Sequence, residues 1–192
     1  MDAMIIRQGG AGTYERFLDI VRAIVGPGLE SQSMIDLFSH VARLTRRLPF
    51  ARSTFVDIGN YVSEFAGLEF VHADVIHGDH EVLRRQYDVA LCLDGIEHVH
   101  KPEGRILLQR MQGFSRKQIL FTPLDPWMVD ETATNPEAHK CCWKPDELPD
   151  WAHIVLPEWH PLLGIGAFFF WQAGDAEATR ADYERVKAAL GG

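Results

Sequence analysis

Positive charge is the first thing this chain is short of. It carries 19 Lys and Arg against 27 Asp and Glu, for a formal net charge of −8. That balance argues against a protein that holds nucleic acid mainly through its phosphates, and a small-molecule partner fits better. Cysteine is scarce as well. There are three, an odd number, and two are adjacent at Cys141-Cys142. That is no disulfide framework, so a reducing compartment is expected. Nor is it a zinc pair, because neighbouring cysteines lack the two-residue gap that turns both thiolates toward one ion. No apolar run approaches the roughly 20 residues that span a bilayer. Met1–Gln8 has no long apolar core, so a signal peptide is not expected and the expected location is cytoplasmic, without a membrane partner. Repeats, low-complexity tracts and linkers are also missing. Residues 1–192 are therefore expected to form one domain, with 1–30 as an N-terminal helical addition.

What is present centres on Tyr87–Gly104. Val89–Leu93 is an unbroken apolar run of the kind a strand buried on both faces requires. Asp94-Gly95 ends it and places a carboxylate at the strand's C-terminal edge. Glu97-His98 follows, and Pro102 opens a helix, where its missing N–H costs nothing. In open α/β sheets ligands bind outside the carboxyl ends of the strands. Asp94, Glu97 and His98 should therefore carry chemistry.

This stretch resembles the fourth motif of class I S-adenosylmethionine-dependent methyltransferases (methyltransferase type 11-like), on Asp88, Asp94, Glu97, His98 and Pro102. The resemblance implies an α/β fold: a Rossmann-like, mostly parallel sheet of about seven strands, an antiparallel C-terminal hairpin and flanking helices. It implies S-adenosylmethionine as cofactor, with S-adenosylhomocysteine as product. The cofactor would lie on Asp36, Phe38, Ser39, His40, Asp57, Ile58, Asp74, Val75, Leu93 and Asp94.

The other strands fit that frame. Ser33–Phe38 reads as the first, Thr54–Asp57 as the second, Glu69–Ala73 as the third and Lys117–Phe121 as the fifth. A carboxylate follows each of the first four: Asp36, Asp57, Asp74 and Asp94, at roughly even intervals near 20 residues. Asp57 reads as a ribose acceptor or as a turn aspartate before Gly59-Asn60. The family's Asp-x-Gly-x-Gly-x-Gly appears as Asp36-Leu37-Phe38-Ser39-His40-Val41-Ala42, with every glycine replaced. Either a reshaped loop holds the cofactor, or none is bound.

Helical spacing of Phe17, Leu18, Val21, Ile24 and Val25 predicts a helix that Gly26-Pro27-Gly28 stops. Before it, Gly9-Gly10-Ala11-Gly12 reads as a flexible entry or, given a preceding strand, a phosphate cradle. Ala42–Leu48 reads as a short helix with Arg43, Arg46 and Arg47 on one face, solvated or gripping an anionic substrate. Tyr61–Gly67 and His77–Gln86 allow two or three helical turns each. Thr122–Asn135 is long and polar, as lids and binding loops are. After it, His139 to Leu148 resembles the His-x-x-x-Trp-x-x-x-x-Leu segment of some small-molecule methyltransferases and implies that His139 and Trp143 line an acceptor pocket. Trp159 and His160, in the loop between the last two strands, could join them. Those strands are His153–Leu156 and Gly166–Gln172. Phe168–Trp171 reads as core, and the hairpin as a sheet edge through which copies could pair. Asp175 caps a terminal helix bearing Thr179, Tyr183, Val186 and Leu190.

His98 is the candidate base, since imidazole titrates near neutral pH, and Glu97 could orient it or take the proton itself. The pair could instead only cap the next helix. A divalent metal on Asp94, Glu97 and His98, completed by His139 or His160, is the less favoured option, so no metal ligands are assigned. Two function classes follow: methyl transfer to an oxygen or nitrogen of a small molecule, or a non-catalytic methyltransferase-fold module for binding or assembly.

Overall fold

The computed structural model describes residues 4–5, 13–125, 129–160 and 164–190, excepting the side chains of 13, 14 and 158–160. The Gly9–Gly12 cluster lies outside the described residues. Among the described residues eight strands form one sheet: β1 (Met4–Ile5), β2 (Ser33–Leu37), β3 (Arg52–Asp57), β4 (Glu69–His72), β5 (Tyr87–Leu93), β6 (Ser115–Pro123), β7 (Ala152–His160) and β8 (Gly164–Gln172). Their order is β1-β7-β8-β6-β5-β2-β3-β4. Strands β2 to β6 pair in parallel, while β8 runs antiparallel to both β6 and β7.

Among the described residues three α-helices cover the sheet: α1 (Thr13–Val25), α2 (Lys101–Phe114) and α3 (Ala176–Leu190). Each face has its own core. On one, Phe17, Leu18, Val21 and Ile24 of α1 and Tyr183 and Val186 of α3 pack on Phe121, Phe168 and Phe170. On the other, Leu107, Leu108, Met111 and Phe114 of α2 meet Ile35, Ala90, Leu120 and Phe169. Residues 168 and 170 face one way and 169 the other, as the period of two along a strand requires. The aromatic run is core, as expected. At the start of α2 the Glu103 carboxylate accepts the His100 N–H at 3.0 Å, and Pro102 sits in the first turn. At its start α3 is capped by Asp175, whose carboxylate accepts the Ala178 N–H at 2.8 Å.

Several expectations need correction. Ala42–Leu48 is not an α-helix. It holds one 3-10 turn, Thr45–Arg47, closed by the Arg47 and Leu48 N–H groups on the Leu44 and Thr45 carbonyls at 3.0 Å, and Ala42, with a φ of 45°, lies outside any right-handed helix. The three arginines consequently share no helix face: Arg47 pairs with Glu15, and Arg46 donates to the Glu64 carbonyl at 3.5 Å. Likewise the β3–β4 and β4–β5 connections each contain a single 3-10 turn, Val62–Phe65 and Glu81–Arg84. The sheet itself agrees with the mostly parallel arrangement of about seven strands and a terminal hairpin, with the short β1 paired in parallel to β7 at Ile154 and Val155. Strand β1 occupies the outer side of β7 there, so the hairpin is not a free edge at those residues. Trp159 and His160 belong by backbone to β7 rather than to a loop, and their side chains lie outside the described ones.

Candidate active site at the carboxyl edge of the sheet

From β2 the chain moves outward to β3 and β4, then returns to the other side of β2 as β5. That reversal leaves a crevice above the carboxyl ends of β2 and β5, the place where open α/β sheets take ligands. Two cavities open there. One, of about 260 Å³, is lined by Asp57, Ile58, Asp74, Val75, His98, Pro136, Glu137 and Lys140, among others. The other, of about 640 Å³, is lined by Phe17, Asp36, Ser39, Arg43, Thr45, Leu93 and Phe121, among others. Phe38, His40 and Asp94 border both. Phe38 and His40 thus divide the crevice without filling it.

The loop after β2 carries the main surprise. Phe38, His40 and Ala42 have φ of 57°, 45° and 45°. These are the three positions where the resembled family has glycine. The glycines are gone, but the left-handed backbone that glycine supplies most cheaply is kept. Hydrogen bonds hold it: Ser39 N–H to the Val56 carbonyl at 3.2 Å, Ala42 N–H to the Ser39 carbonyl at 2.7 Å, and His40 N–H to Asp57 Oδ2 at 2.8 Å. Phe38 lies over Gly95, where any added Cβ would sit 2.7 Å from the Phe38 Cβ. Asp94 also has positive φ, 64°.

Asp57 anchors this arrangement. Its Oδ1 accepts the Gly59 N–H at 2.7 Å, so each oxygen already holds one backbone N–H. A carboxylate has about four acceptor sites, so lone pairs remain for a ligand's hydroxyls. Beside it, Ile58 is 60% exposed, an apolar surface at the crevice mouth. Asp74 accepts the Ile76 and His77 N–H groups on Oδ1 at 2.8 and 2.9 Å, which leaves Oδ2 facing only the His77 ring at 3.3 Å. Ser39 Oγ is buried and has no hydrogen-bond partner among the described residues, an orphan on the wall of the larger cavity.

Asp36 is 3% exposed, and its Oδ2 accepts the Thr45 hydroxyl at 2.5 Å. Burial, with the nearby charge of Asp57, pushes its pKa up to about 7 despite that hydrogen bond. Glu97 is 1% exposed, and neither oxygen has a well-formed hydrogen bond. Burial, then the charge of Asp94, pushes its pKa well above the carboxylate range. His98 is half-buried, its Nδ1 lies 3.3 Å from the Ala138 carbonyl, and its ring stands 5.0 Å from that of His139. Burial, then His98, lowers the pKa of His139.

Most of the expected site residues therefore gather on one rim. Trp143 does not. It is 1% exposed under α2, packed so closely on Gly104 that its Cζ2 would lie 2.5 Å from an added Cβ, and it lines neither cavity. Sequence reasoning did not single out Pro136, Glu137 and Lys140 on the smaller cavity, nor Thr45 on the larger one. The only available signal was the length of the polar segment after β6.

No protein-family model matches this sequence, and no curated protein matches it significantly. Solved structures match it in shape. The DhpI–SAH complex matches with a TM-score of 0.60 at 19% identity, covering 82% of this chain and 83% of that one. Magnesium protoporphyrin IX methyltransferase (ChlM) from Synechocystis PCC 6803 with bound SAH gives 0.63 at 13% identity, over 85% and 88%. The methyltransferase domain of bacterial CtHen1 gives 0.55 at 15%, over 83% and 98%. The chain has the class I methyltransferase fold, mostly parallel and Rossmann-like with a terminal antiparallel hairpin.

Proposed function

We propose that this protein is an S-adenosylmethionine-dependent methyltransferase acting on an oxygen or nitrogen of a small molecule. One observation carries the reading: Asp57, Ile58, Asp74, Val75, Asp94 and His98 converge on a single crevice at the switch point of the sheet. The residues suit the cofactor. Asp57 keeps acceptor sites for ribose hydroxyls, Ile58 and Val75 offer apolar surface to adenine, and Asp74 Oδ2 can accept its amino group. The methionine half would lie on Asp36, Phe38, Ser39, His40, Leu93 and Asp94, where the orphaned Ser39 hydroxyl has a donor or acceptor to gain. Bound there, the cofactor supplies a sulfonium methyl group for in-line displacement by an acceptor lone pair. Glu97 and His98 stand at the acceptor end as the groups that activate it, with His139 beside them. Residues 1–192 act as one unit in this reading. The free thiols of Cys92, Cys141 and Cys142 suit a reducing compartment such as the cytoplasm.

The second reading, a binding or assembly module without catalysis, draws on Phe38 and His40 partitioning the crevice. Calorimetry with S-adenosylmethionine and S-adenosylhomocysteine separates the two. Binding is expected, and Asp57→Ala should weaken it by about 10- to 100-fold, the scale of a lost charged hydrogen bond. A folded protein that takes up neither compound is the module.

A further inference from the structure

One wall of the smaller cavity is the turn that follows β4, from Asp74 to Gly78; Asp74, Val75, Ile76 and His77 all line the cavity. It starts beside the proposed ribose acceptor, because the Ala73 N–H donates to the Asp57 carbonyl at 2.9 Å. Asp74 folds the chain back on itself: its Oδ1 accepts the Ile76 and His77 N–H groups, and its carbonyl accepts the Gly78 N–H at 2.9 Å. The turn is so tight that a Cβ added at Gly78 would stand 2.3 Å from the Asp74 carbonyl oxygen. Three carbonyls of the turn go to a single side chain far along the sequence. Arg110 of α2 donates from Nη1 to the carbonyls of Val75 and Ile76 at 2.9 and 2.8 Å, and from Nη2 to that of Gly78 at 2.7 Å.

These bonds share their peptide groups. The Val75 carbonyl and the Ile76 N–H belong to one peptide plane, the Ile76 carbonyl and the His77 N–H to the next, and in a trans peptide the two ends point opposite ways. Arg110 Nη1 therefore holds the oxygen ends of the two planes whose N–H ends rest on Asp74 Oδ1. Cation, peptide dipoles and carboxylate lie in series, and each polarises the next. Burial works to raise the pKa of Asp74, yet the N–H groups of His77 and Ile76 hold it below the usual carboxylate range. Asp74 is thus an ionised, acceptor-only group with Oδ1 fixed and Oδ2 left for a donor. Apolar packing does not do this by itself. Val75 and Ile76 share a core with Leu107 and Met111, which fixes how far α2 stands from the turn but not how the peptide planes are rotated.

We infer that Arg110 is the positioning residue for adenine recognition: by fixing the two peptide planes it aims Asp74 Oδ2 at the adenine amino group and lays Val75 against the ring. This role rests on the methyl-transfer reading and supplies a reason for the pocket to prefer adenine over other purines. The adenine amino group donates to the ionised carboxylate, whereas a purine without it leaves Oδ2 unpaired. Only arginine suits the task. Its planar fork presents N–H donors in fixed directions, so two of its nitrogens reach three carbonyls at once, while a lysine ammonium is a compact point charge. The same helix begins at Lys101, just after the turn that carries Glu97 and His98. One rigid element therefore holds the adenine wall and the proposed acceptor-activating turn in fixed relation.

The test compares S-adenosylhomocysteine with its 6-deamino analogue, in which hydrogen replaces the adenine amino group, by calorimetry on the whole chain. Wild type should prefer S-adenosylhomocysteine by about 10- to 100-fold, the scale of a hydrogen bond to a charged group. Arg110→Lys, which keeps the charge, should weaken S-adenosylhomocysteine about 10-fold and the analogue by no more than about twofold, so the preference shrinks about 5- to 10-fold. Asp57→Ala, at the ribose end, should weaken both compounds equally and leave the preference intact. An equal loss of both compounds in Arg110→Lys would make the arginine a support of the fold alone and overturn the role. An unchanged preference, or a wild type that has none, overturns it too. All three results leave the cofactor reading standing. Wild type that binds neither compound sinks that reading and this role together.

Discussion

At the scale of single residues, Asp36 shows what position along a chain reveals and what it hides. Its place at the end of a strand, first of four evenly spaced carboxylates, was legible because strand ends announce themselves by composition. Its protonation was not, because burial belongs to the folded state. With a folded pKa of about 7 against an ordinary 3.8, the native protein binds this proton more tightly than the unfolded chain. The cost of keeping the charge buried is therefore absent at pH values below 3.8. It grows as pH rises through that interval and levels off above pH 7, at about 4 kcal/mol from about 1.4 kcal/mol per pH unit. Asp36→Asn retains an acceptor for the Thr45 hydroxyl and removes the charge. It should raise stability at pH 8 by roughly 2–4 kcal/mol and by less than half as much at pH 5. Urea denaturation at the two pH values checks this. An equal gain at both would show that Asp36 titrates normally.

At the scale of elements, the loop 38–42 was the hardest part to foresee. Glycine is the usual sequence sign of left-handed backbone, and Phe38, His40 and Ala42 erased it while the conformation persisted. What keeps the loop is tertiary, the Asp57 carboxylate and the Val56 carbonyl drawing its N–H groups onto β3. The same limit applies to the connections after β3 and β4. Their lengths admitted helices, but only one 3-10 turn forms in each. By contrast α1, α2 and α3 were readable, because periodic apolar faces and stop or capping residues agree in each. Strain in the loop can be measured at Ala42, whose side chain is too small for its loss to matter much. Left-handed φ costs an ordinary residue about 1–2 kcal/mol. Ala42→Gly should recover part of it, about 0.5–1 kcal/mol, after the extra freedom glycine gives the unfolded chain. Ala42→Val, β-branched, should lose about 1–2 kcal/mol. If Ala42→Gly instead lowers the urea midpoint, the residue does not hold positive φ.

At the scale of the whole molecule, the positions of the parallel strands and their run of terminal carboxylates were legible, since both follow from apolar runs ending in acidic turns. Strand β1 was not, because two residues carry no pattern. The bond between the chain's two ends also escaped notice. It centres on Lys117 of β6, 8% exposed, which meets Asp182 of α3, 3% exposed, at 2.7 Å. Lys117 also donates to the carbonyls of Ile24 and Val25, and Arg185 donates to those of Ala23 and Ile24. With the Gly26 N–H on the Arg22 carbonyl, all four carbonyls that α1 leaves open at its C-terminus are satisfied. Positive charge also belongs at that end of a helix dipole. One buried ion pair thus ties the N-terminal helix, the sheet and the C-terminal helix together. Lys117→Met should cost about 2–4 kcal/mol, somewhat below the usual range for stranding a buried charge, because Arg185 still holds Asp182 at 2.5 Å. The double variant Lys117→Met/Asp182→Leu should recover part of that loss, since a buried pair replaced whole by apolar groups is often nearly neutral. Hydrogen exchange should show where the single variant yields, with the last turn of α1 losing protection before β5 does. Uniform loss across the sheet would mean that Lys117 supports the core alone and does not join the ends of the chain.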